Sequence, residues 1–170
     1  SSLDALMYAF SRIQAKTDDC LIIGGSENMS RAPYVLSKSP QAFGRQQKFF
    51  DTSIGWRFPN QKYDDKYSLL SMGQTAEEVA KLYSIKREDQ DLFAYNSHKK
   101  ATEAKHLHAK EIIPIHYKLK KSDIVFDTDE GPRANSNLEK LSQLQPAFSK
   151  NGTVTAGNSS SLNDGASLML

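Results

Sequence analysis

Layer-forming segments at both ends of the chain, with a long aperiodic segment between them, constrain the fold most strongly. Near the start, residues 1–15 carry apolar side chains at helical spacing, and the short apolar run 20–23 is closed by Gly24 and Gly25. This order predicts an amphipathic helix followed by a buried strand. The repeating apolar positions of the helix are Leu3, Leu6, Phe10 and Ile13.

The last residues predict a return to the same kind of layer. The turn-forming triplet Asn163-Asp164-Gly165 precedes a final apolar stretch that has the character of a strand. Between the two layer segments, residues 31–71 are polar and aromatic with weak periodicity. A poorly periodic segment of this length usually carries function or contacts a partner, so we expect subunit contacts there. The chain is therefore predicted to be α/β.

The rest of the middle region predicts two helices, a hairpin and a short third helix. Thr75 and Glu78 have capping-box spacing, and a second helix is predicted over 87–108 without a good N-cap. Alternation over 113–119, a turn at 120–123 and a return strand predict the hairpin. A helix precedes Pro146, and a β-like piece spans Thr153 to Thr155. The residues expected on buried helix faces are Val79, Leu82, Leu92, Phe93, Ala101 and Ala104.

Composition excludes several classes of protein. The formal net charge is +2, which is too small to indicate a nucleic-acid binder. No apolar run approaches the roughly 20 residues of a membrane helix. Cys20 is the single cysteine, which excludes an internal disulfide framework, and it opens an apolar run, so we expect a buried core residue rather than a nucleophile.

Three other groups of residues leave a structural and a functional interpretation open. The four histidines, 98, 106, 108 and 116, lack the spacing of three or four convergent zinc ligands, so exposed positions on helix or strand faces are favoured. The basic clusters at 98–100 and 118–121 fit either a solvated face or a site for a phosphorylated ligand. The segment NSSSLNDG fits either a polar turn or a loop whose backbone closely approaches a ligand.

Several long blocks, in order along the chain, resemble the thiolase family. GGSENMSRAPYVL resembles the thiolase block G-G-x-E-S-M-S-x-A-P-Y. SMGQTAEEVAKLYSIKREDQDLFAYNSHKKA resembles M-G-x-T-A-E-x-V-A followed by R-E-x-Q-D-x-F-A-x-x-S-H. LQPAF and GTVTAGNSSSLNDGA resemble R-P-A-F and G-T-V-T-A-G-N-x-S-x-L-N-D-G-A.

The resemblance implies a fold. Thiolases consist of two similar halves in α-β-α-β-α layers, with an inserted α+β loop domain that binds coenzyme A (CoA). On this basis, residues 1–27 and 151–170 are expected to belong to the N-terminal half, with the nucleophile helix and a core strand in the first of these segments. Residues 28–150 are expected to form the loop domain.

The resemblance also implies a chemistry. Family members transfer acyl groups through a covalent acyl-cysteine, either condensing two acyl-CoA molecules or cleaving a 3-ketoacyl-CoA by thiolysis. Ser1-Ser2-Leu3 matches the S-x-L of the nucleophile motif C-x-S-x-L, so the cysteine is expected two positions before Ser1. The base histidine and a second cysteine are expected in the other half. The chain by itself is therefore expected to be inactive, with no catalytic residue of its own.

The family residues that bind CoA match eight positions of this chain. Ser160 matches a serine at the pantetheine arm, Met72 a methionine of the acyl pocket, and Phe148 an aromatic residue at the CoA channel. Arg133 and His98 match positions near the nucleotide end and the channel. Three residues shape the same loop as Ser160: Ala156, Gly157 and Asn158.

The resemblance finally implies a cellular setting. No cofactor is expected, since CoA is substrate and product, and we expect no metal, nucleic acid or membrane. Fatty acid metabolism, a homodimer or homotetramer, and a cytoplasmic location (or mitochondria or peroxisomes in a eukaryote) follow from the family. The alternative is a non-catalytic CoA-binding or oligomerisation module. Ser71 stands where some biosynthetic members carry His, which argues against the short-chain biosynthetic branch.

Overall fold

The computed structural model describes residues 2–170, and these form two compact units. Leu70–Ser161 is one unit, and the described residues before Leu70 and after Ser161 form the other. The domain division predicted from the sequence, at residues 27/28 and 150/151, assigns segments to parts of a larger fold and stays a prediction. Ser1, which begins the S-x-L match, lies outside the described residues.

The unit formed by both ends of the chain contains two two-stranded sheets. Strands β1 and β6 pair antiparallel, with Glu27 opposite Gly165 and Ile23 opposite Met169. Strands β2 and β3 form a separate antiparallel ribbon. The elements are α1 (Ser2–Gln14), β1 (Ile23–Glu27), a 3-10 turn (Met29–Arg31), β2 (Tyr34–Leu36), β3 (Phe49–Asp51), α2 (Gln61–Tyr67) and β6 (Gly165–Met169).

The β1–β6 pairing confirms that the end of the chain returns to the layer in which it starts. A second contact joins the same two segments, because the backbone N–H and the hydroxyl of Ser30 donate hydrogen bonds of 2.8 and 2.7 Å to the Asp164 carboxylate. These bonds stabilise the charged carboxylate and lower the pKa of Asp164, the backbone bond contributing most.

Small residues occupy the contact side of α1, contrary to the sequence expectation. The buried residue of the helix is Ala9, and Gly25 of β1 lies so close to Ser2 that an added Cβ would be 1.8 Å from its hydroxyl oxygen. Of the predicted apolar face, Leu6 is half-buried, whereas Leu3, Phe10 and Ile13 are exposed. The prediction of a buried strand over residues 20–23 was also wrong, since the strand begins at Ile23 and Cys20 is exposed.

The segment 31–71 is more regular than its sequence indicates. The ribbon β2–β3 stacks Tyr34 on Phe49 with ring centroids 4.8 Å apart, and α2 begins at an Asn60 cap whose side chain accepts the N–H of Lys62. Three-residue strands are too short to show a clear alternation, which explains why no strand was predicted there.

The second unit combines helices with one hairpin. Its buried residues are Ala80, Asp91, Leu141, Val154 and Thr155. The predicted hairpin is confirmed, with a two-residue turn at Lys120 and Lys121 between paired Leu119 and Ser122. The elements are α3 (Met72–Leu82), α4 (Arg87–Glu103), α5 (Lys105–His108), β4 (Ile115–Leu119), β5 (Ser122–Phe126) and α6 (Leu138–Ser142).

The helix details differ from the sequence expectations. The capping box of α3 is formed by Ser71 and Gln74 rather than by Thr75 and Glu78. The helix α4 ends at Glu103, with α5 as a separate turn, and it lacks a side-chain cap as expected. The predicted buried faces were wrong for the large side chains, which are exposed because Ala80 and Asp91 face inward instead. These exposed side chains are Val79, Leu82, Leu92 and Phe93; Ala101 and Ala104 are half-buried.

Candidate functional site

The carboxylate of Glu77 holds the beginning of the loop 152–158. It accepts the N–H of Thr153 on both oxygens, at 3.0 and 2.9 Å, and the N–H of Val154 at 2.9 Å. The Thr153 hydroxyl adds a bond of 3.1 Å. Gly152 packs so tightly that an added Cβ would lie 2.1 Å from a Glu77 oxygen. Glu77 on α3 therefore accepts backbone N–H groups that would otherwise need the carbonyl groups of a neighbouring strand.

A second carboxylate, Asp91 on α4, holds the end of the same loop. Asp91 is 3 % exposed, and its two oxygens accept Arg87 Nε at 2.8 Å and Asn158 Nδ2 at 2.9 Å. A second guanidinium nitrogen of Arg87 donates to the carbonyls of Leu141 and Leu144, at the end of α6. The buried charge is thus both paired and hydrogen-bonded, which is the condition for burying it at modest cost.

Asn158 joins this ion pair to the loop backbone. Its Oδ1 accepts the N–H of Thr155 at 2.7 Å, and its Nδ2 donates to the Thr153 carbonyl at 3.1 Å as well as to Asp91. Both polar atoms of the amide are therefore used within the protein. Across residues 2–170, no buried side-chain nitrogen or oxygen lacks a hydrogen-bond partner.

The inward-facing residues of the loop are tightly packed. Thr155 is fully buried, and its hydroxyl accepts the N–H of Gly157 at 3.2 Å. A Cβ on Gly157 would lie 2.5 Å from Leu144 and 2.6 Å from Leu141. Ala156 and Ser160, in contrast, are exposed. The inward residues fix the loop, and the exposed ones are available to a ligand.

An open apolar groove lies beside this loop. Its volume is about 670 Å³, and two of the predicted site residues, Met72 and Asn158, line it. Met72 is 83 % exposed at the first position of α3. The other lining residues are Thr75, Ala76, Val79, Ala80, Ile85, Asp89, Gln90, Phe93 and Val154. The groove is thus bounded by α3, by α4 and by the strand-like start of the loop.

Phe148 packs against the start of the same helix. Its ring lies so close to Gly73 that an added Cβ would be 2.2 Å from ring carbons, and the side chain stays 38 % exposed. Ser71 fixes this end of α3, since its hydroxyl accepts the N–H of Gln74 while the Gln74 side chain accepts the N–H of Ser71. Phe148 and Met72 are therefore set by one rigid helix terminus.

His98 and Arg133 form a separate pair. The Nδ1 atom of His98 on α4 accepts the backbone N–H of Arg133 at 3.1 Å. Arg133 is exposed and lines a polar cavity of about 200 Å³ together with Tyr95 and Lys99. The structure thus joins these two predicted residues to each other and does not bring them into the groove of Met72 and Asn158.

The sequence interpretation missed the residues that hold the loop. Glu77, Arg87 and Asp91 belong to the quoted blocks T-A-E and R-E-x-Q-D, yet apolar residues were expected on the inner helix faces. Gln90 also contributes, donating to the Thr153 hydroxyl at 2.8 Å. A charged residue every three or four positions on one helix face was the available signal, since Arg87 and Asp91 are an i, i+4 pair.

Two further features of the described chain limit the kinds of site present. No group of three or more potential metal-ligating side chains comes together within residues 2–170. Along the same stretch, every helix is too short or too polar to cross a membrane. Of the other histidines, His106 contacts the carbonyl of Glu103 through Nδ1.

Comparison with known proteins identifies the family. The profile described as "Thiolase, N-terminal domain" matches residues 1–170. The chain belongs to the thiolase family. A curated relative, the beta-ketoadipyl-CoA thiolase of Acinetobacter baylyi, is 50 % identical over 173 aligned positions, which cover 100 % of this chain and 43 % of the relative. The chain thus spans less than half the length of the curated thiolases it matches.

Solved thiolase structures share the fold. The acetyl-CoA acetyltransferase from Syntrophomonas wolfei superposes with a TM-score of 0.82 at 33 % identity, covering 99 % of this chain and 42 % of that one. Human mitochondrial 3-ketoacyl-CoA thiolase gives a TM-score of 0.80 at 32 % identity, with 98 % and 42 % covered. These matches confirm the predicted α/β class and identify the structure as the N-terminal part of the thiolase fold.

Proposed function

We propose that the complete protein is a thiolase-type acyltransferase and that this chain supplies part of its acyl-CoA site. Family membership over the whole chain is the observation that carries the proposal. The tightly held loop 152–158 supports it, because Ala156 and, just after the loop, Ser160 are exposed, while no buried side-chain nitrogen or oxygen of residues 2–170 lacks a hydrogen-bond partner. A ligand would therefore meet a preformed surface, which lowers the cost of binding.

The proposed chemistry is covalent and uses a cysteine outside this chain. Placing the thiolate before α1 would put it at a helix N-terminus, where the dipole favours the negative charge and lowers a thiol pKa. In the degradative direction the thiolate would attack the 3-keto carbonyl, the bond between the α and β carbons would break, and protonation of the α carbon would release acetyl-CoA; CoA would then attack the acyl-enzyme and free the thiolate as the shortened acyl-CoA leaves. In the synthetic direction the thiolate would take the acetyl group from acetyl-CoA and release CoA, and the deprotonated α carbon of a second acetyl-CoA would attack the acyl-enzyme and displace the thiolate. The covalent intermediate splits one difficult transfer into two easier ones.

The contacts proposed for CoA fall in two places within the unit 70–161. Ser160 and Ala156 would contact the pantetheine arm, with Met72 and Phe148 beside the acyl end. Arg133 would contact the nucleotide end, where an exposed guanidinium suits a phosphate, and His98 would hold Arg133 through the 3.1 Å bond to its backbone. Gly157 and Asn158 would act through loop shape only, since the Asn158 amide is fully used.

The proposed substrate is a 3-ketoacyl-CoA, cleaved in the degradative direction. Relatives named for this chemistry include the 3-oxoadipyl-CoA/3-oxo-5,6-dehydrosuberyl-CoA thiolase of Escherichia coli, 45 % identical over 173 aligned positions covering 100 % of this chain and 43 % of the relative. Ser71 supports this choice, because it caps α3 beside Met72 where some biosynthetic members carry His. A dicarboxylic acyl chain is thus a better first substrate to assay than a long fatty acyl chain.

The first test compares thiolysis of 3-ketoadipyl-CoA and acetoacetyl-CoA by the complete protein. Release of acetyl-CoA that depends on added CoA is expected with the first substrate. Arg133→Ala should raise the Michaelis constant for CoA about fivefold, the effect of losing about 1 kcal/mol at an exposed charged contact. Lys118→Ala removes one exposed positive charge from the hairpin of the same unit and should leave the constant unchanged. Equal constants for the wild-type protein and Arg133→Ala would remove Arg133 from the site.

The alternative function is a non-catalytic CoA-binding or oligomerisation module. Calorimetric binding of CoA without turnover of either substrate would favour it over the enzyme. For the complete thiolase we also propose a homodimer or homotetramer with a cytoplasmic location. The segment 31–71 is proposed to form the subunit contact, because it carries exposed aromatic residues such as Phe43 and Trp56.

A further inference from the structure

A buried network of charged and polar side chains lies beneath the loop 152–158, although stability alone does not require charged residues there. Asp91, Arg87 and Asn158 are held between α4, the end of α6 and the loop. Apolar residues of similar volume commonly fill such a space without loss of stability. A paired charge in this place therefore raises the question of what it positions.

The network connects one helix carboxylate to the conformation of the exposed loop. Asp91 Oδ1 accepts Asn158 Nδ2, and this bond orients the amide so that Oδ1 can accept the N–H of Thr155 at 2.7 Å. Thr155 in turn accepts the N–H of Gly157 on its hydroxyl and the Ser159 hydroxyl on its carbonyl. Ala156, between Thr155 and Gly157, and Ser160, directly after Ser159, are the exposed residues.

Asp91 and the Thr153 carbonyl together orient the Asn158 amide, and Asp91 is an acceptor on both of its oxygens. Arg87 Nε donates to one oxygen and Asn158 Nδ2 to the other. An amide in place of the carboxylate would turn an N–H₂ group toward one of these donors. Either Arg87 or Asn158 would then lose its partner, and a flipped Asn158 would withdraw the acceptor from Thr155.

We propose that Asp91 is a positioning residue for acyl-CoA binding: through Asn158 it sets the loop conformation that presents Ala156 and Ser160 to the substrate. The inference rests on the proposed function of this site. Asp91 itself is 3 % exposed, which leaves it too buried for a substrate to contact. Its effect is therefore on substrate affinity and not on the chemical step, which takes place elsewhere.

The test uses Asp91→Asn in the complete protein, assayed for thiolysis of 3-ketoadipyl-CoA at a temperature well below unfolding. The Michaelis constant for 3-ketoadipyl-CoA should rise about tenfold, whereas kcat should change less than threefold. Ala101→Gly is the matched control, because it weakens the same helix α4 from a half-buried position near the other end of the helix from Arg87. It should lower Tm and leave the Michaelis constant unchanged.

Each outcome decides the matter. An unchanged constant in Asp91→Asn, or an equal rise in Ala101→Gly, would overturn the positioning role. If Asp91→Asn does not fold, Asn158→Ala replaces it, since that variant keeps the Arg87–Asp91 pair and should raise the constant by the same factor. A wild-type protein that neither binds nor turns over an acyl-CoA overturns the proposed function itself, and normal wild-type kinetics with a normal Asp91→Asn overturns the positioning role alone.

Discussion

Two loops of the same unit carry predicted substrate contacts, and they are held in opposite ways. The loop 152–158 is built into the interior, with Thr155 fully buried and two helix carboxylates accepting its donors. The segment 127–134, which carries Arg133, lies on the surface and reaches α4 through one bond to His98. Rigid presentation of Ala156 and Ser160 would suit recognition of one defined shape, whereas a looser Arg133 suits a charged, flexible group.

Among the variants that test this difference between the two loops, the loss of the Glu77 carboxylate should reduce stability most. Glu77→Ala leaves the N–H groups of half-buried Thr153 and buried Val154 without an acceptor, and we expect the free energy of unfolding to fall by about 3 kcal/mol. Urea denaturation of the complete protein measures it. Glu78→Ala, an exposed neighbour on the same helix, is the control and should change stability by less than about 0.5 kcal/mol. Equal losses in the two variants would show that the carboxylate does not hold the loop.

A matched pair of glycine substitutions should show the difference in packing between the loops. Gly157→Ala places a methyl group 2.5 Å from Leu144 and should cost about 1–2 kcal/mol through overpacking. Gly131→Ala meets only the Asp129 side chain at 3.1 Å and should cost about 0.5 kcal/mol or less. Thermal unfolding compares the two. A larger loss for Gly131→Ala would reverse the assignment of the rigid and the loose loop.

The smallest loss of stability in this series is expected when the hydrogen bond between His98 and the segment 127–134 is removed. His98→Ala removes the acceptor for the Arg133 N–H, which water can replace at this exposed position, so stability should fall by about 0.5 kcal/mol. Hydrogen exchange of the Arg133 amide is the sharper measurement and should become faster. His106→Ala, which removes a ring from the nearby α5, should leave that amide unchanged. Unaltered exchange in His98→Ala would contradict the bond.

The sequence was sufficient for the elements with strong local signals. The helix α1, the hairpin β4–β5 and the terminal strand β6 follow from periodicity and turn residues, as expected where local preference and fold agree. It failed for burial, because large apolar residues were taken as inward. Phe93 is 78 % exposed, whereas Asp91, two positions before it, is buried. The burial of this charge depends on its partners: Arg87 lies four positions before it on the same helix, but Asn158 comes from 67 positions further along the chain.

The candidate site was predictable in its residues and not in its organisation. The family motifs pointed to Ser160 and Asn158, but no pattern in the sequence separates the exposed hydroxyl from the fully used amide. Likewise His98 and Arg133 are 35 positions apart, and nothing local relates them. Non-local hydrogen bonds decide both cases, and a single sequence without aligned relatives does not record them.

The pairing of Glu27 with Gly165 has a consequence for the modularity of this chain. These two residues stand opposite each other at one end of the β1–β6 ladder, which is where an ordinary hairpin would make its turn. Residues 28–164 therefore replace a tight turn, and a short Asn-Gly linker between positions 27 and 165 is geometrically sufficient to close the ladder without them. We expect the ladder to form late in folding, because closing the 28–164 loop between its strands carries a large entropic cost.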